Sequence, residues 1–159
     1  MIEIRNADDP ASLAAARELV RAHIRDNSAA HDAATTERIV AALPAPYVAP
    51  AGDLWVAWAR SEAVGCVALQ ALAPDTAELK RMYVRPEARG RGVARQLLVH
   101  AVAAAVARGY RRLRLGTLPT MGAAQRLYTS VGFRPIAPYR PVEFGETWFY
   151  ELMLAAPPP

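Results

Sequence analysis

The sequence predicts a single α/β domain, residues 1–154, built on a mixed and mostly antiparallel sheet. Three observations support this. The chain has 159 residues, of which 53% are hydrophobic and 21% charged, as in one soluble globular domain. Its apolar residues repeat with the periods of both strands and helices. Three strand-like segments follow one another as in an antiparallel meander, whereas helices separate the remaining strands.

The amino-terminal part is predicted to form a short strand and two helices. Ile2 and Ile4 alternate with polar residues, as in a strand. An aspartate pair followed by Pro10 is a typical helix start, and apolar residues follow at helical spacing. A second helix is predicted over Thr35–Leu43, and the three prolines of residues 44–50 must end it.

The middle of the chain predicts the meander. Its strands are expected at Leu54–Ala59, Val64–Leu72 and Ala77–Val84, with polar turns between them.

The carboxyl-terminal part alternates helices and strands. An amphipathic helix is predicted from Val93 until Gly109 ends it. After it we expect a strand, a helix and two closing strands, followed by a frayed tail over residues 155–159. The predicted ranges are Leu113–Thr117, Thr120–Ser130, Phe133–Ala137 and Thr147–Leu154.

Composition excludes several classes of protein. No apolar run approaches the roughly 20 residues that span a bilayer, and the first residues lack the pattern of a signal peptide. The single cysteine, Cys66, excludes an internal disulfide and, with only three scattered histidines, makes a metal site improbable. We therefore expect a cytoplasmic protein that needs no metal and does not bind membranes.

The net charge is +4, and the basic residues around one loop are more informative than this total. They favour a local site for a phosphorylated ligand over a nucleic-acid surface. These residues are Lys80, Arg81, Arg85, Arg89, Arg91 and Arg95.

A glycine-containing loop joins a strand to a helix at residues 85–93. Small residues and a helix N-terminus let backbone amides approach a phosphate. A P-loop is excluded because no lysine followed by serine or threonine ends the segment. A dinucleotide fingerprint is excluded because Arg95 stands where its third glycine is needed.

The remaining spacing, arginine-x-x-glycine-x-alanine over Arg89, Gly92 and Ala94, resembles the pyrophosphate loop of the GNAT superfamily of acyl-CoA-dependent N-acetyltransferases. The preceding strand Ala77–Val84 and the later Leu-Tyr-x-x-x-Gly-Phe segment, residues 127–133, strengthen the resemblance. It implies the GNAT fold, with helices on both faces of the sheet and acyl-CoA held in a splayed pair of parallel strands.

The resemblance also implies which residues contact acetyl-CoA, the expected cosubstrate. Backbone groups of the strand would pair with the pantetheine arm, and amides of the loop would hold the pyrophosphate. Many members have an asparagine seven residues before the signature tyrosine, but Met121 stands there, so that contact is not carried over. The expected cofactor-binding residues are Met82, Tyr83, Val84, Arg89, Gly90, Arg91, Gly92, Val93, Ala94 and Arg95.

Two residues are candidates for acid–base catalysis by the same resemblance. Glu78 matches the general base, and Tyr128 matches the residue that protonates the departing thiolate. The alternatives are an exposed strand carboxylate paired with an arginine and a tyrosine packed at the sheet edge. Two further segments are weighed as parts of the acceptor site. His23 and His31 flank the turn where acceptors often bind in the family, but a position without substrate contact is the favoured reading for them. The loop residues Tyr139, Arg140, Glu143 and Glu146 match the loop that lines the acceptor site in relatives, and a solvated loop is the alternative.

The expected activity is direct acetyl transfer from acetyl-CoA to a primary amine of a small molecule or peptide. Two alternatives remain. One is a non-catalytic acyl-CoA-binding module. The other is an acetyltransferase acting on charged tRNA, an alternative kept open by the basic residues Arg108, Arg111, Arg112 and Arg114. The acceptor, the preferred acyl chain and a possible homodimer are left open by the sequence.

Overall fold

The structure of the protein is a computed structural model that describes residues 1–27, 31–142 and 146–155. The last four residues of the expected frayed tail, 156–159, lie outside the described residues. Every predicted helix and strand is present, with ends displaced by no more than two residues.

The described residues form seven strands and four α-helices. In chain order these are β1 Ile2–Asn6, α1 Pro10–Asn27, α2 Ala33–Ala42, β2 Asp53–Ala59, β3 Glu62–Ala73, β4 Thr76–Val84, α3 Val93–Ala107, β5 Arg112–Thr117, α4 Gly122–Val131, β6 Arg134–Ile136 and β7 Trp148–Met153, with one 3-10 turn at Pro86–Ala88.

Side-chain caps begin the first two helices, α1 at the predicted Pro10 and α2 at Ala33, two residues before its predicted start. The amide of Ser12 donates a hydrogen bond of 2.8 Å to the Asp9 carboxylate. In α2 the amide of Thr35 donates to Asp32 over 2.7 Å. Each cap satisfies an amide that has no partner within its helix. No helix of the described segments combines the length and apolar character needed to cross a membrane.

The strands form one sheet in the order β1-β2-β3-β4-β5-β7-β6. All neighbouring strands are antiparallel except β4 and β5, which are parallel. Helices cover both faces, which confirms the predicted architecture. One apolar cluster contains Leu97 and Leu98 of α3 and Tyr128 of α4, and the other contains Leu19 of α1 and Val40 of α2.

A bulge interrupts β4 where it pairs with β3. Cys66 is opposite Tyr83 and Ala68 is opposite Lys80, so Arg81 and Met82 together face the single residue between. Arg81 has a φ of 55°, a left-handed conformation that is uncommon outside glycine. The bulge therefore changes which side chains of β4 point toward α1 and α2.

Candidate active site

The parallel strands β4 and β5 separate soon after they meet. Their pairing runs only from Thr76 opposite Arg112 to Glu78 opposite Arg114. β4 nevertheless continues to Val84 and β5 to Thr117, each still paired with its outer neighbour. The facing edges beyond Glu78 thus leave backbone groups without a strand partner. An extended ligand can bind such an edge by backbone hydrogen bonds, as an added strand would.

Beyond the end of β4, the glycine loop leads to the N-terminus of α3. Gly90 and Gly92 have φ values of 77° and 79°, and a Cβ added at either would meet no atom within 4 Å. The N-cap Gly92 offers no side chain to the first amides of the helix. In the described part of the chain, the amides of residues 90–95 have no backbone acceptor. Several free donors at a positive helix end suit a pyrophosphate.

The three loop arginines have different surroundings. Arg89 donates from Nε to the Val84 carbonyl over 3.0 Å, and its guanidinium lies 5.8 Å from the centre of the Tyr83 ring. These contacts fix the start of the loop. Arg91 is exposed, and Arg95 makes an exposed 3.3 Å hydrogen bond to Ser130. Arg91 and Arg95 can therefore turn toward an anion.

Met82, Tyr83 and Val84 offer their backbone rather than their side chains to a ligand. The Tyr83 hydroxyl donates to Asp26 over 2.8 Å, and the Val84 side chain is buried in the apolar cluster with α3. Met82 packs against the same cluster. Their side chains are thus used by the fold.

Glu78 lies at the point where β4 and β5 separate, and it is only 1% exposed. The Tyr139 hydroxyl donates to its Oε2 over 2.5 Å, and the same oxygen accepts from Arg140 Nε over 3.0 Å. Lys80 Nζ lies 3.4 Å from Oε1, where Gln70 also donates over 3.5 Å. The carboxylate is paired with an arginine, as in the alternative to a catalytic role given above, but that alternative expected an exposed carboxylate and this one is buried.

The contacts of Glu78 decide its charge. Burial alone raises the pKa of this carboxyl, but the Tyr139 hydrogen bond and the charges of Lys80 and Arg140 outweigh burial and bring the pKa below its ordinary value. Glu78 is therefore ionised at neutral pH. Burial lowers the pKa of Lys80 even though Glu78 favours its charged form. Burial and the bond to Glu78 raise the pKa of Tyr139, so its hydroxyl keeps its proton.

Tyr128 lies on the opposite face of the sheet from Glu78. It belongs to the apolar cluster with α3 and packs against Phe133, with ring centres 5.7 Å apart. Burial raises the pKa of the Tyr128 hydroxyl to about 12, so the group is protonated at any physiological pH. No described residue hydrogen-bonds to this hydroxyl. A buried, protonated and unpartnered hydroxyl can donate to a developing anion.

The loop before β7 supplies residues that the sequence did not connect with Glu78. Tyr139 and Arg140 were expected to line an acceptor site, but their contact with a residue 61 or 62 positions earlier has no signal in the sequence. The loop folds back over Phe149, whose ring centre lies 4.9 Å from that of Tyr139. Glu146 instead accepts from the Trp148 indole over 2.8 Å, and Glu143 lies outside the described residues.

Cys66 and Met121, which the sequence analysis also singled out, are held by contacts within the fold. Cys66 is fully buried, burial raises the pKa of its thiol to about 12, and the thiol donates to the Arg81 carbonyl. It is not a nucleophile in this environment. The Met121 sulfur accepts from the Thr117 hydroxyl at 3.8 Å, and Met121 is the N-cap residue of α4 but makes no side-chain capping hydrogen bond.

Of the arginines that kept a nucleic-acid partner open, three are in ion pairs. Arg108 lies 2.8 Å from Asp53, Arg112 lies 3.6 Å from Asp75, and Arg114 lies 2.7 Å from Glu151. Their charges are therefore largely compensated within the domain.

A sheet that opens between two parallel strands, with free amides at the end of one strand, suits an extended, phosphorylated ligand that lies across its edge. A family model described as "Acetyltransferase (GNAT) domain" matches residues 50–135, more than half of the chain. The chain belongs to the GNAT family of N-acetyltransferases, which confirms the resemblance read from its motifs.

Individual relatives agree with this assignment. The uncharacterized N-acetyltransferase YsnE of Bacillus subtilis is 36% identical over 61% of this chain and 64% of its own length. N-acetylaspartate synthetase of Danio rerio is 37% identical over 71% of this chain, which spans only 38% of that protein. The structure of yncA from Salmonella typhimurium with its cofactor acetyl-CoA has a TM-score of 0.78 and 25% identity, covering 97% of this chain and 94% of that one.

Proposed function

We propose that the protein transfers the acetyl group of acetyl-CoA to a primary amine, with Glu78 as general base and Tyr128 as general acid. Membership of the GNAT family supports the reaction class and the acyl-CoA cosubstrate. The observation that carries the two residue roles is their placement. Glu78 and Tyr128 lie on opposite faces of the sheet beside the strands β4 and β5, which separate after residue 78.

The residues of the opened sheet fit acetyl-CoA. Unpaired edges of β4 and β5 suit its extended amide-containing arm, and the free amides of residues 90–95 suit its pyrophosphate. When bound, acetyl-CoA supplies an activated acyl carbon and a thiolate leaving group. The exposed Arg91 and Arg95 would add charge-assisted hydrogen bonds to its phosphates.

The base must help an amine to attack as a neutral nucleophile. An amine with a lysine-like pKa of about 10.4 costs about 4–5 kcal/mol to deprotonate at pH 7. Glu78 is only 1% exposed, so in this proposal the amine's proton reaches it through a bridging group that contacts its carboxylate. We assign this role to the half-buried Tyr139 hydroxyl, which takes a proton from the amine while it passes its own to Glu78.

The acid acts as the bond between the acyl carbon and sulfur breaks. The amine nitrogen forms the new bond to the carbonyl carbon, and the sulfur leaves with the bonding electron pair. Tyr128 donates its hydroxyl proton to that sulfur as the negative charge develops. With its pKa raised to about 12, the hydroxyl retains its proton until that moment.

Calorimetric titration with acetyl-CoA, followed by a thiol-release assay with a panel of primary amines, tests this function. We expect saturable micromolar binding and release of one thiol per acetylated amine. Binding of dephospho-CoA measured alongside reports whether an arginine contacts the adenosine phosphate. Absence of binding by folded protein would refute the proposal. Binding without turnover on any amine would instead support an acyl-CoA-binding module.

A further inference from the structure

The face of β4 that α1 and α2 cover carries more positive than negative charge next to Glu78. Lys80 lies 3.4 Å from the carboxylate and Arg140 lies 3.0 Å from it, so two cations already face a single anion. Arg81 adds a third cation close enough for its charge to affect Lys80. Among the described residues, this part of the site therefore has a positive surplus.

The bulge in β4 creates the surplus. In a regular strand, consecutive side chains point to opposite faces. Here both Lys80 and Arg81 point toward α1 and α2, because Lys80 reaches Glu78 while Arg81 donates from Nε to the Tyr47 hydroxyl over 3.1 Å. The left-handed backbone at Arg81 costs about 1 kcal/mol or more. Strained conformations of this kind concentrate at binding sites.

Arg81 has donor capacity that the described residues do not use. Its Nε–H reaches Tyr47, but no described carboxylate lies within ion-pair distance of its guanidinium. The two nearby anions have other partners: Glu78 is held by Lys80 and Arg140, and Asp26 accepts from Tyr83 and Arg25. A half-buried guanidinium whose terminal N–H groups lack an acceptor fits a planar anion, which it can bind through two parallel bonds.

His23 adds a second, independent observation on the same face. Its Nδ1 is buried and has no hydrogen-bond partner among the described residues. Burial first, and then the charge of Arg81, lowers the pKa of His23 to about 4, so the ring is neutral at pH 7. In the described part of the chain, the Nδ1 atom of His23 is thus a buried polar atom without a hydrogen-bond partner, on the same face as the guanidinium of Arg81, whose terminal N–H groups also lack acceptors.

We propose that Lys80 and Arg81 bind a carboxylate of the acceptor, so that the substrate is an amino acid or a similar amine with a nearby carboxylate. This rests on the proposed function, because Glu78 and Tyr139 define where the amine must lie. Arg81 follows Glu78 by three residues, or about 10 Å of strand, and the two long side chains shorten that distance. Polyamines and other cationic acceptors are disfavoured by the same positive surplus.

A thiol-release assay with paired acceptors tests the proposal. L-alanine, L-methionine and L-phenylalanine are each measured beside their α-carboxamides, together with L-aspartate and 1,3-diaminopropane. We expect kcat/KM at least tenfold higher for the acids than for their amides. In Arg81→Gln this ratio should fall toward one through a raised KM for the acids. Arg81→Lys should keep part of the ratio, since it retains the positive charge but cannot form two parallel hydrogen bonds to a carboxylate.

Arg134→Gln is the matched control, because it removes the same charge from an exposed position on β6. It should leave the acid-to-amide ratio at the wild-type value. Amides or the diamine reacting as well as the acids would overturn the proposal. A ratio unchanged in Arg81→Gln would also overturn it, and would leave Arg81 with its structural contact to Tyr47 alone.

Calorimetry of the same acids with the CoA-saturated protein separates the two proposals. Binding of acids but not amides, lost in Arg81→Gln and without turnover, would support carboxylate recognition and refute catalysis. Turnover without preference for acids would support catalysis and refute carboxylate recognition. Neither binding nor turnover of any acid, with turnover of another amine, would refute carboxylate recognition alone. No turnover of any acid or other amine would refute both.

Discussion

The two ends of β4 offer a ligand different kinds of groups. The carboxyl end meets the glycine loop, where the available groups are backbone amides of residues 90–95 and an unpaired strand edge. The Glu78 end is built from side chains that β3, β4 and the loop before β7 bring together. A backbone site is set by local conformation, whereas a side-chain site is set by the tertiary contacts of distant segments. The two ends should therefore respond differently to substitution.

The largest effect is expected from Glu78→Gln. A general base contributes roughly 10²- to 10⁴-fold to rate, so kcat should fall at least 100-fold. The acetyl-CoA Kd should stay within twofold, because the loop amides proposed to bind the pyrophosphate are unchanged. Steady-state kinetics and calorimetry measure the two quantities. Glu62→Gln, at an exposed position at the start of β3, is the control and should match wild type in both. A preserved kcat in Glu78→Gln would contradict the assigned role.

Tyr139→Phe should lower kcat by roughly 10- to 100-fold, since it removes a hydrogen bond to a charged group and the proposed proton path. Its KM for acetyl-CoA should change little. Tyr110→Phe is a matched control, because the Tyr110 hydroxyl is also buried and donates to the Ala51 carbonyl over 2.6 Å, but the residue belongs to the apolar cluster with α3, on the other face of the sheet from Glu78. We expect it to cost about 1 kcal/mol of stability without affecting kcat. Equal kcat in both variants would remove Tyr139 from the mechanism.

The side-chain end should also be sensitive to acid. Unfolded His23 binds a proton near pH 6.5, but the folded ring does so only near pH 4. Between these values the unfolded state holds more protons, so stability falls as pH is lowered. Wild type should lose about 2 kcal/mol more than His23→Phe between pH 7 and pH 5. Urea unfolding at both pH values measures this difference, and parallel losses would show that His23 does not contribute.

The backbone end is tested by a pair of glycine substitutions. Gly92 and Gly109 both have left-handed φ values, 79° and 85°, and open space around an added Cβ. Alanine at either should cost about 1 kcal/mol of stability. Only Gly92→Ala, which alters the loop before α3, should raise the acetyl-CoA Kd, by about tenfold. Thermal unfolding and calorimetry check both changes, and an equal Kd in the two variants would exclude a role for the loop in binding.

The sequence by itself determined the order and nearly the bounds of the helices and strands, as well as the position of the glycine loop. These features depend on local physics: apolar periodicity, the caps at Asp9 and Asp32, and the conformational freedom of Gly92. The loop can be recognised in the sequence because the groups proposed to bind the ligand are consecutive backbone amides. The assignment of Glu78 as general base came instead from the resemblance to the GNAT family, and its position at the separation of the strands came from the structure.

Only the tertiary structure decided what surrounds Glu78. Its burial, its bonds to Tyr139 and Arg140 more than 60 residues away, and the bulge that turns Arg81 toward Tyr47 all depend on how strands and loops pack. Sequence spacing cannot report these contacts, because the side chains come from segments that meet only in the folded sheet. Packing decides whether a carboxylate is exposed and free or buried and ion-paired. It therefore also decides the net charge around the place where an acceptor would bind.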